Sequence, residues 1–200
     1  MQFSEEITTL SDGRKFIRCT ESRLKLKECV LEDDFQADDN VTMQLSDDTA
    51  AVVRQRDDLI LQAAKDNSEL WFGRKMSDKK IGGAYVPGVG QSGVMTCEKA
   101  KVKGQVMVRA FGIDKTPADY EQLQKGVKCH IFAELLGVLV YQKNFSPLWK
   151  VVQMLVIPAP KPKKPKRYTD ECLFEDDDIP VQTEEEDDGG ESDDGRKNIM

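Results

Sequence analysis

The sequence predicts a mainly β protein: a small closed barrel with one or two helices laid on it and a charged tail behind it. The first observation is the stretch 125–158, which holds two long apolar runs of strand character, 127–141 and 148–157. A short polar turn joins them, Gln142-Lys143-Asn144-Phe145-Ser146-Pro147. Val127, Cys129, Ile131 and Ala133 alternate with polar or bulky residues, and after Gly137 the run Val138, Leu139, Val140 is continuous. Alternation suits a strand with one wet face, and a continuous run suits one covered on both faces. Gly126 and Gly137 punctuate the first run as bends or bulges. The competing reading, a buried helix over 133–140, is opposed by the β-branched content and by Pro147. Two long bent strands in a hairpin are what a small barrel needs. The second observation is that 39% hydrophobic residues in 200 suffice for one modest core plus appendages. The third is a composition break after residue 157.

Taken in order, residues 1–12 read as a loose or edge segment ahead of a domain over 13–157. Residues 15–19 and 23–31 read as short strands, Leu24 and Leu26 alternating with lysines in the second. Acidic turn material follows at 32–34 and 37–40, then a third strand at 41–45. Ser46-Asp47-Asp48 reads as a helix N-cap with acids in the first turn, where they complement the helix dipole. The helix runs to about Asn67, with Val52, Leu59 and Ala63 in one stripe and Val53, Ile60 and Ala64 in its neighbour. A short helix begins at Ser77, and 87–93 (PGVGQSG) is a loop. Its glycines fit neither GxGxxG nor a P-loop, so nucleotide binding is not expected. Residues 94–97 and 101–111 carry strand character, and 114–124 is a loop or a single helical turn.

The net charge of −7 conceals a strong asymmetry. Residues 170–200 contain fourteen Asp and Glu against Arg196 and Lys197, a net of −12. The basic Pro/Lys linker 158–169 carries Lys161, Lys163, Lys164, Lys166 and Arg167, and the body is close to neutral. The linker composition suits an extended spacer and the tail composition suits disorder. Charge this uneven points to nucleic acid or to an interaction tail. No apolar run approaches a membrane span, and MQFSEEITT lacks the regions of a signal peptide. Five scattered cysteines and a single His130 form no zinc spacing. An intracellular protein with free thiols, no cofactor, no metal and no membrane partner is expected. Cys129 and His130 are neighbours and so face opposite sides of a strand. No nucleophile–base set or carboxylate pair stands out, and the chain is read as non-enzymatic.

Rings and cations are interleaved more suggestively. Phe111 follows Arg109, Tyr141 precedes Lys143, Phe145 lies in the turn, and Trp149-Lys150 begins the return strand. Trp71 and Phe72 stand before Arg74 and Lys75. Single strands are held by rings that stack on bases, at about 1–3 kcal/mol per base, and by cations that track phosphates. Taken singly, Trp71, Phe72, Phe111 and Trp149 read more readily as core. For Tyr141, Lys143 and Phe145 at the polar turn, the two readings are even.

The pattern GVKC…LLGVLVYQKNFSPLWKVVQMLV resembles the OB-fold single-stranded-DNA-binding proteins of large DNA viruses and phages, with an aromatic-bearing hairpin and a return strand ending VQ-x-x-V. The segment LWFGRKMSDKKIGGAYVPGV is similar to one in proteins of nucleocytoplasmic large DNA viruses. In the tail, Phe174-Glu175-Asp176-Asp177-Asp178-Ile179-Pro180 resembles the acidic tip of bacterial single-stranded-DNA-binding proteins, although here Val181 opens a further stretch. The resemblance implies an OB-like barrel that binds single-stranded DNA without sequence preference in viral replication, recombination or repair. The binding set it implies is Trp71, Arg74, Lys75, Lys101, Lys103, Arg109, Phe111, Tyr141, Lys143, Phe145, Trp149 and Lys150. It implies replication or repair partners for Phe174, Asp176, Asp177, Asp178, Ile179 and Pro180, a location at the viral replication site in host cytoplasm or nucleus, and a possible homodimer, while the tethered net charge of −12 adds competition of the tail for the DNA groove. The alternatives are a non-enzymatic virion scaffolding protein and, more remotely, an acidic histone-chaperone-like protein.

Overall fold

Alternation along the organising stretch becomes two 13-residue antiparallel strands, Lys128–Val140 and Phe145–Ile157. They are the ninth and tenth strands of a computed structural model that describes residues 1–20 and 22–158. The elements before them are β1 (Gln2–Thr9), β2 (Lys15–Thr20), β3 (Arg23–Leu31), β4 (Asn40–Gln44), α1 (Asp47–Asp66), α2 (Ser68–Phe72), α3 (Asp78–Ala84), β5 (Val94–Lys99), β6 (Lys101–Val102), β7 (Gln105–Val106) and β8 (Arg109–Phe111). The long strands are β9 and β10. The basic linker beyond Pro158 and the acidic tail lie outside the described residues, as do the expectations placed on them.

β9 pairs antiparallel with both β10 and β3, β3 with β4, and β4 with β5. β5 then runs parallel to β10 at Lys150↔Glu98 and Val151↔Lys99 and closes a five-stranded ring. Counted along the chain, the ring members meet in the order first, second, third, fifth, fourth, first. A three-strand meander closed by a parallel third–fifth contact is the OB arrangement, so the fold is an OB-like barrel. β1 and β2 extend the sheet along the distal half of β9, and β8 extends it along β10. Residues expected to be loose or at an edge thus form an edge strand, β1.

The core fills from alternate positions: Leu24, Leu26, Ile131, Ala133, Leu135, Val151 and Met154 point inward. At Gly137 the barrel wall meets β2 closely, since a Cβ there would lie 2.1 Å from the Ile17 carbonyl oxygen. α1 starts at Ser46, whose hydroxyl accepts from the Thr49 N–H at 3.4 Å, and the Thr49 hydroxyl donates to the Lys27 carbonyl at 3.0 Å. Of its two apolar stripes, Val53, Ile60 and Ala64 are buried in the core, while in the other Val52 and Leu59 are exposed and Ala63 is half-buried against it. A helix lying on a sheet has one buried face, so adjacent stripes cannot both be covered.

Three boundaries differ from the sequence reading. The hairpin turn is four residues, 141–144, because Phe145-Ser146-Pro147 already belongs to β10. Pro147 is tolerated there because β10 takes up β5 only from Lys150. Residues 101–111 are not one strand. Lys103-Gly104, both with positive φ (50° and 81°), form a two-residue turn that folds β6 onto β7 before β8 begins. The short helix α2 was not anticipated and carries Trp71 into the core.

Candidate nucleic-acid interface

The hairpin tip is assembled from three segments. β9 ends at Val140 and β10 begins at Phe145, with the Tyr141 N–H donating to the Asn144 carbonyl at 2.8 Å across the turn. β2 begins opposite, with Lys15 paired to Val140, which brings Asp12-Gly13-Arg14 beside the tip. The end of α2 and the residues after it supply Phe72 and Arg74. Together they enclose a groove of about 510 Å³ lined by Lys15, Phe72, Arg74, Tyr141, Lys143 and neighbours. Tyr141 is 38% exposed, and the Arg14 guanidinium lies 5.7 Å from its ring centroid. Arg14 is also paired with Asp12 at 2.6 Å. The Arg14 backbone N–H, and then its guanidinium, hold the Asp12 carboxyl below the ordinary carboxylate range, and Asp12 raises the guanidinium in return. Lys15, Arg74 and Lys143 make no ion pair with another described residue. The groove therefore offers three uncompensated cations beside one exposed and one half-buried ring.

Arg74, Tyr141 and Lys143, all expected to bind, are gathered here. Three of the expected rings are corrected. Trp71 is 1% exposed, Trp149 2% and Phe145 0%, and a ring with no accessible face cannot stack on a base. Trp71 meets Phe3 edge-on at 5.2 Å, and Phe145 packs on Phe72 and Tyr85 at 5.2 and 5.0 Å. Trp71 and Phe145 form the floor beneath the groove. Lys150 is in register with Glu134 on one side and Glu98 on the other, a poor seat for a phosphate. Lys101 is held by Asp39 at 2.5 Å, and Lys103 tops the β6–β7 turn. Lys75 is exposed after α2, while Arg109 and Phe111 sit on β8, away from the groove lining. Arg14 and Lys15 were not singled out from the sequence, and Phe72, weighed there beside Trp71, reads as core and stands outside the expected set. The Asp12-Gly13 turn between two alternating segments was the available signal, since a hairpin there places Lys15 at the start of a strand.

In OB barrels the outer face of the second and third strands, with the adjoining loops, is the usual oligonucleotide surface. Here that face is formed by β4 and β5, and its outward residues are Asn40, Thr42, Gln44, Val94, Thr96 and Glu98. It has neither ring nor cation. The loop from β3 to β4 carries Asp33, Asp34, Asp38 and Asp39, and it is tied down by Lys99, whose ammonium donates to the Phe35 and Asp38 carbonyls beneath the Phe35 ring. Cys129 is buried while His130 faces outward, its Nδ1 accepting the Glu28 N–H at 3.0 Å.

Residues 27–176 match the model of a family of unknown function, DUF5871. The chain belongs to that family. No curated protein matches the sequence. Among solved structures, this DUF5871 chain is similar to the single-stranded DNA-binding protein from bacteriophage Enc34. The free protein is 9% identical, with 84% of this chain and 93% of that one covered at a TM-score of 0.44. Its complex with single-stranded DNA is 8% identical, covering 81% and 96% at 0.42. Its C-terminal truncation is 7% identical, covering 82% and 95% at 0.42.

Proposed function

We propose that this chain binds single-stranded DNA without sequence preference and without catalysis, in viral DNA replication, recombination or repair at the site where viral DNA is copied in the host cell. The observation that carries the reading is the hairpin-tip groove, where Tyr141 and Phe72 lie among Lys15, Arg74 and Lys143. Every base has a π face and every nucleotide a phosphate, so rings with uncompensated cations bind single strands irrespective of sequence. The groove is formed by side chains at a turn, which suits a flexible strand better than a rigid duplex. The acidic residues 170–200 belong to the same reading. A tethered polyanion has a high effective concentration at its own domain's cations, so it competes with DNA, and Phe174 with Asp176–Pro180 recruits replication or repair proteins.

Gel shifts with single- and double-stranded DNA at two salt concentrations test this. Single-strand binding that weakens as salt rises is expected. The double variant Y141A/K143A should lose about 1–3 kcal/mol for the base stacked on Tyr141, and its salt dependence should flatten. Truncation after Tyr168 should tighten binding at low salt, with the gain fading as salt screens exposed charge. Absence of single-strand binding by the full chain, or unchanged affinity of a folded Y141A/K143A, would overturn the reading.

A further inference from the structure

We infer that the outward face of β3, β9, β10 and β8 is a second platform for the same single strand, with bases stacked on Phe132 and Phe111 between two cationic edges. The inference rests on the single-strand reading above and extends it to a surface separate from the hairpin tip.

The alternation that sends Leu24, Leu26, Ile131, Ala133 and Met154 inward sends their neighbours outward. Register then fixes what lies beside what. Phe132 is opposite Lys25 on β3 and Gln153 on β10, and Gln153 is opposite Arg109 on β8. One row across the sheet therefore reads cation, ring, amide, cation. In the next row His130 is opposite Leu155, and Leu155 is opposite Phe111. A shallow depression of about 470 Å³ lies over these rows, bordered by Lys25 and Lys27 on one side and Lys115 on the other.

Three features separate this face from an ordinary solvated sheet. Phe111, Phe132 and Leu155 are half-buried yet lie outside the core cluster, and neither ring stacks on another aromatic among the described residues. Lys25, Lys27, Arg109, Lys115 and Lys128 make no ion pair with a described residue. Carboxylates are scarce: the four strands carry only Glu28 and Glu134, and Arg23 engages Glu134 at 3.6 Å. Three strand spacings set the cationic edges about 14 Å apart. A polyanion with one phosphate per base needs cations and rings interleaved across a broad surface, which these rows supply. An acidic peptide would need its charges met along one edge and its apolar residues in pockets.

Phe132 and Tyr141 are nine positions apart along β9 and into its turn, about 30 Å of extended chain. A strand that engages both surfaces would occlude a site longer than the minimum of the roughly 4–16 nucleotides seen per OB barrel.

The test is fluorescence anisotropy on the full chain with oligothymidylates of about 4 and about 30 nucleotides, one at the lower end of that range and one beyond its upper end. The variant F111A/F132A is expected to weaken the long oligomer by roughly 5- to 150-fold per ring, and more than it weakens the short one. The variant K25A/K27A should lower the log–log salt slope by about 1.4. In the unaltered protein, Lys25, Lys27 and Lys115 should be protected from acetylation by the long oligomer, a readout that stands even if the double ring variant fails to fold. The platform is refuted, with the function reading left intact, if Y141A/K143A loses affinity while F111A/F132A binds the long oligomer like the unaltered chain and the lysines stay reactive. Protection of those lysines by the peptide CLFEDDDIP but not by DNA also refutes it and makes the face a peptide surface. If the unaltered chain binds neither oligomer, both proposals fall together.

Discussion

Replacing Gly137 with alanine is expected to strike the fold and the candidate groove together. The added Cβ would lie 2.1 Å from the Ile17 carbonyl oxygen, 0.9 Å inside the 3.0 Å that real Cβ atoms keep, and 2.8 and 2.9 Å from the Phe16 ring. The ring can rotate, but the carbonyl belongs to β2, so β2 must move off β9. Moving it weakens the rows Ile17↔Val138 and Arg18↔Gly137. Two backbone hydrogen bonds at about 1 kcal/mol each, with about 1–2 kcal/mol of overpacking, give a loss of about 3–4 kcal/mol. For a chain of this size that is a fall in Tm of roughly 6–16 °C, read by circular dichroism. The same shift displaces Lys15, which opens β2 at the groove, so residual folded protein should also bind single strands less well. A G137A protein melting within about 1 °C of the parent would refute the close-approach argument.

Asp57, buried on α1, accepts from the Tyr85 hydroxyl at 2.6 Å and from the Gly88 N–H at 3.1 Å, latching the loop before β5 onto the helix. D57A leaves both donors unpaired and is expected to cost about 2–5 kcal/mol, whereas D57N keeps an acceptor and should cost far less, as urea titration would show. Burial pushes the Asp57 carboxyl above its ordinary value, against the Tyr85 and Gly88 hydrogen bonds. The folded state therefore holds its proton longer than the unfolded state, and Asp57's contribution to stability should fall as pH rises from about 3.8 toward the raised value, a decline that D57N removes. Burial likewise raises the thiols of Cys29 and Cys129 to about 12, and those of Cys19 and Cys97 upward. Thiol reagents at mild pH should therefore leave these four unreacted in the native protein, and all five cysteines should titrate after denaturation; recovering one or three would mean disulfides. By the same sign argument these thiols should make stability fall as pH rises between about 9 and 12.

Period-two alternation at Leu24/Leu26 and at Cys129/Ile131/Ala133 was enough to locate the long strands and their inward faces, and Ser46-Asp47-Asp48 was enough to start α1. Ring closure was not legible, because the parallel contact of β5 with β10 joins residues some fifty positions apart and leaves no local pattern. The site was half legible for a related reason. Aromatic character and adjacency to a cation drew Trp71, Phe145 and Trp149 into the expected set, but strand parity and helix phase decide which side a ring faces. Phe145 and Trp149 fall on the inward parity of β10, and α2 was not foreseen at all. Lys15 and Lys25 looked like ordinary strand cations until register placed them beside Tyr141's turn and beside Phe132.

The ring is unevenly sewn. β9 is joined to β3 and β10 by long ladders, but β3 meets β4 only at Val30↔Gln44 and Leu31↔Met43, and β5 meets β10 only at Lys150↔Glu98 and Val151↔Lys99. β4 and β5 are paired to each other over five rows. They therefore form a panel hung between two short seams, with α1, α2 and α3 as the chain that connects its halves. Lys99 clasps one seam to the acidic loop, and the Asp57–Gly88 latch anchors the approach to β5. Subglobal openings run along the weakest ladders, so the cheapest excursion of this barrel swings the panel and leaves the β9–β10 hairpin and the outward face of β3, β9, β10 and β8 standing.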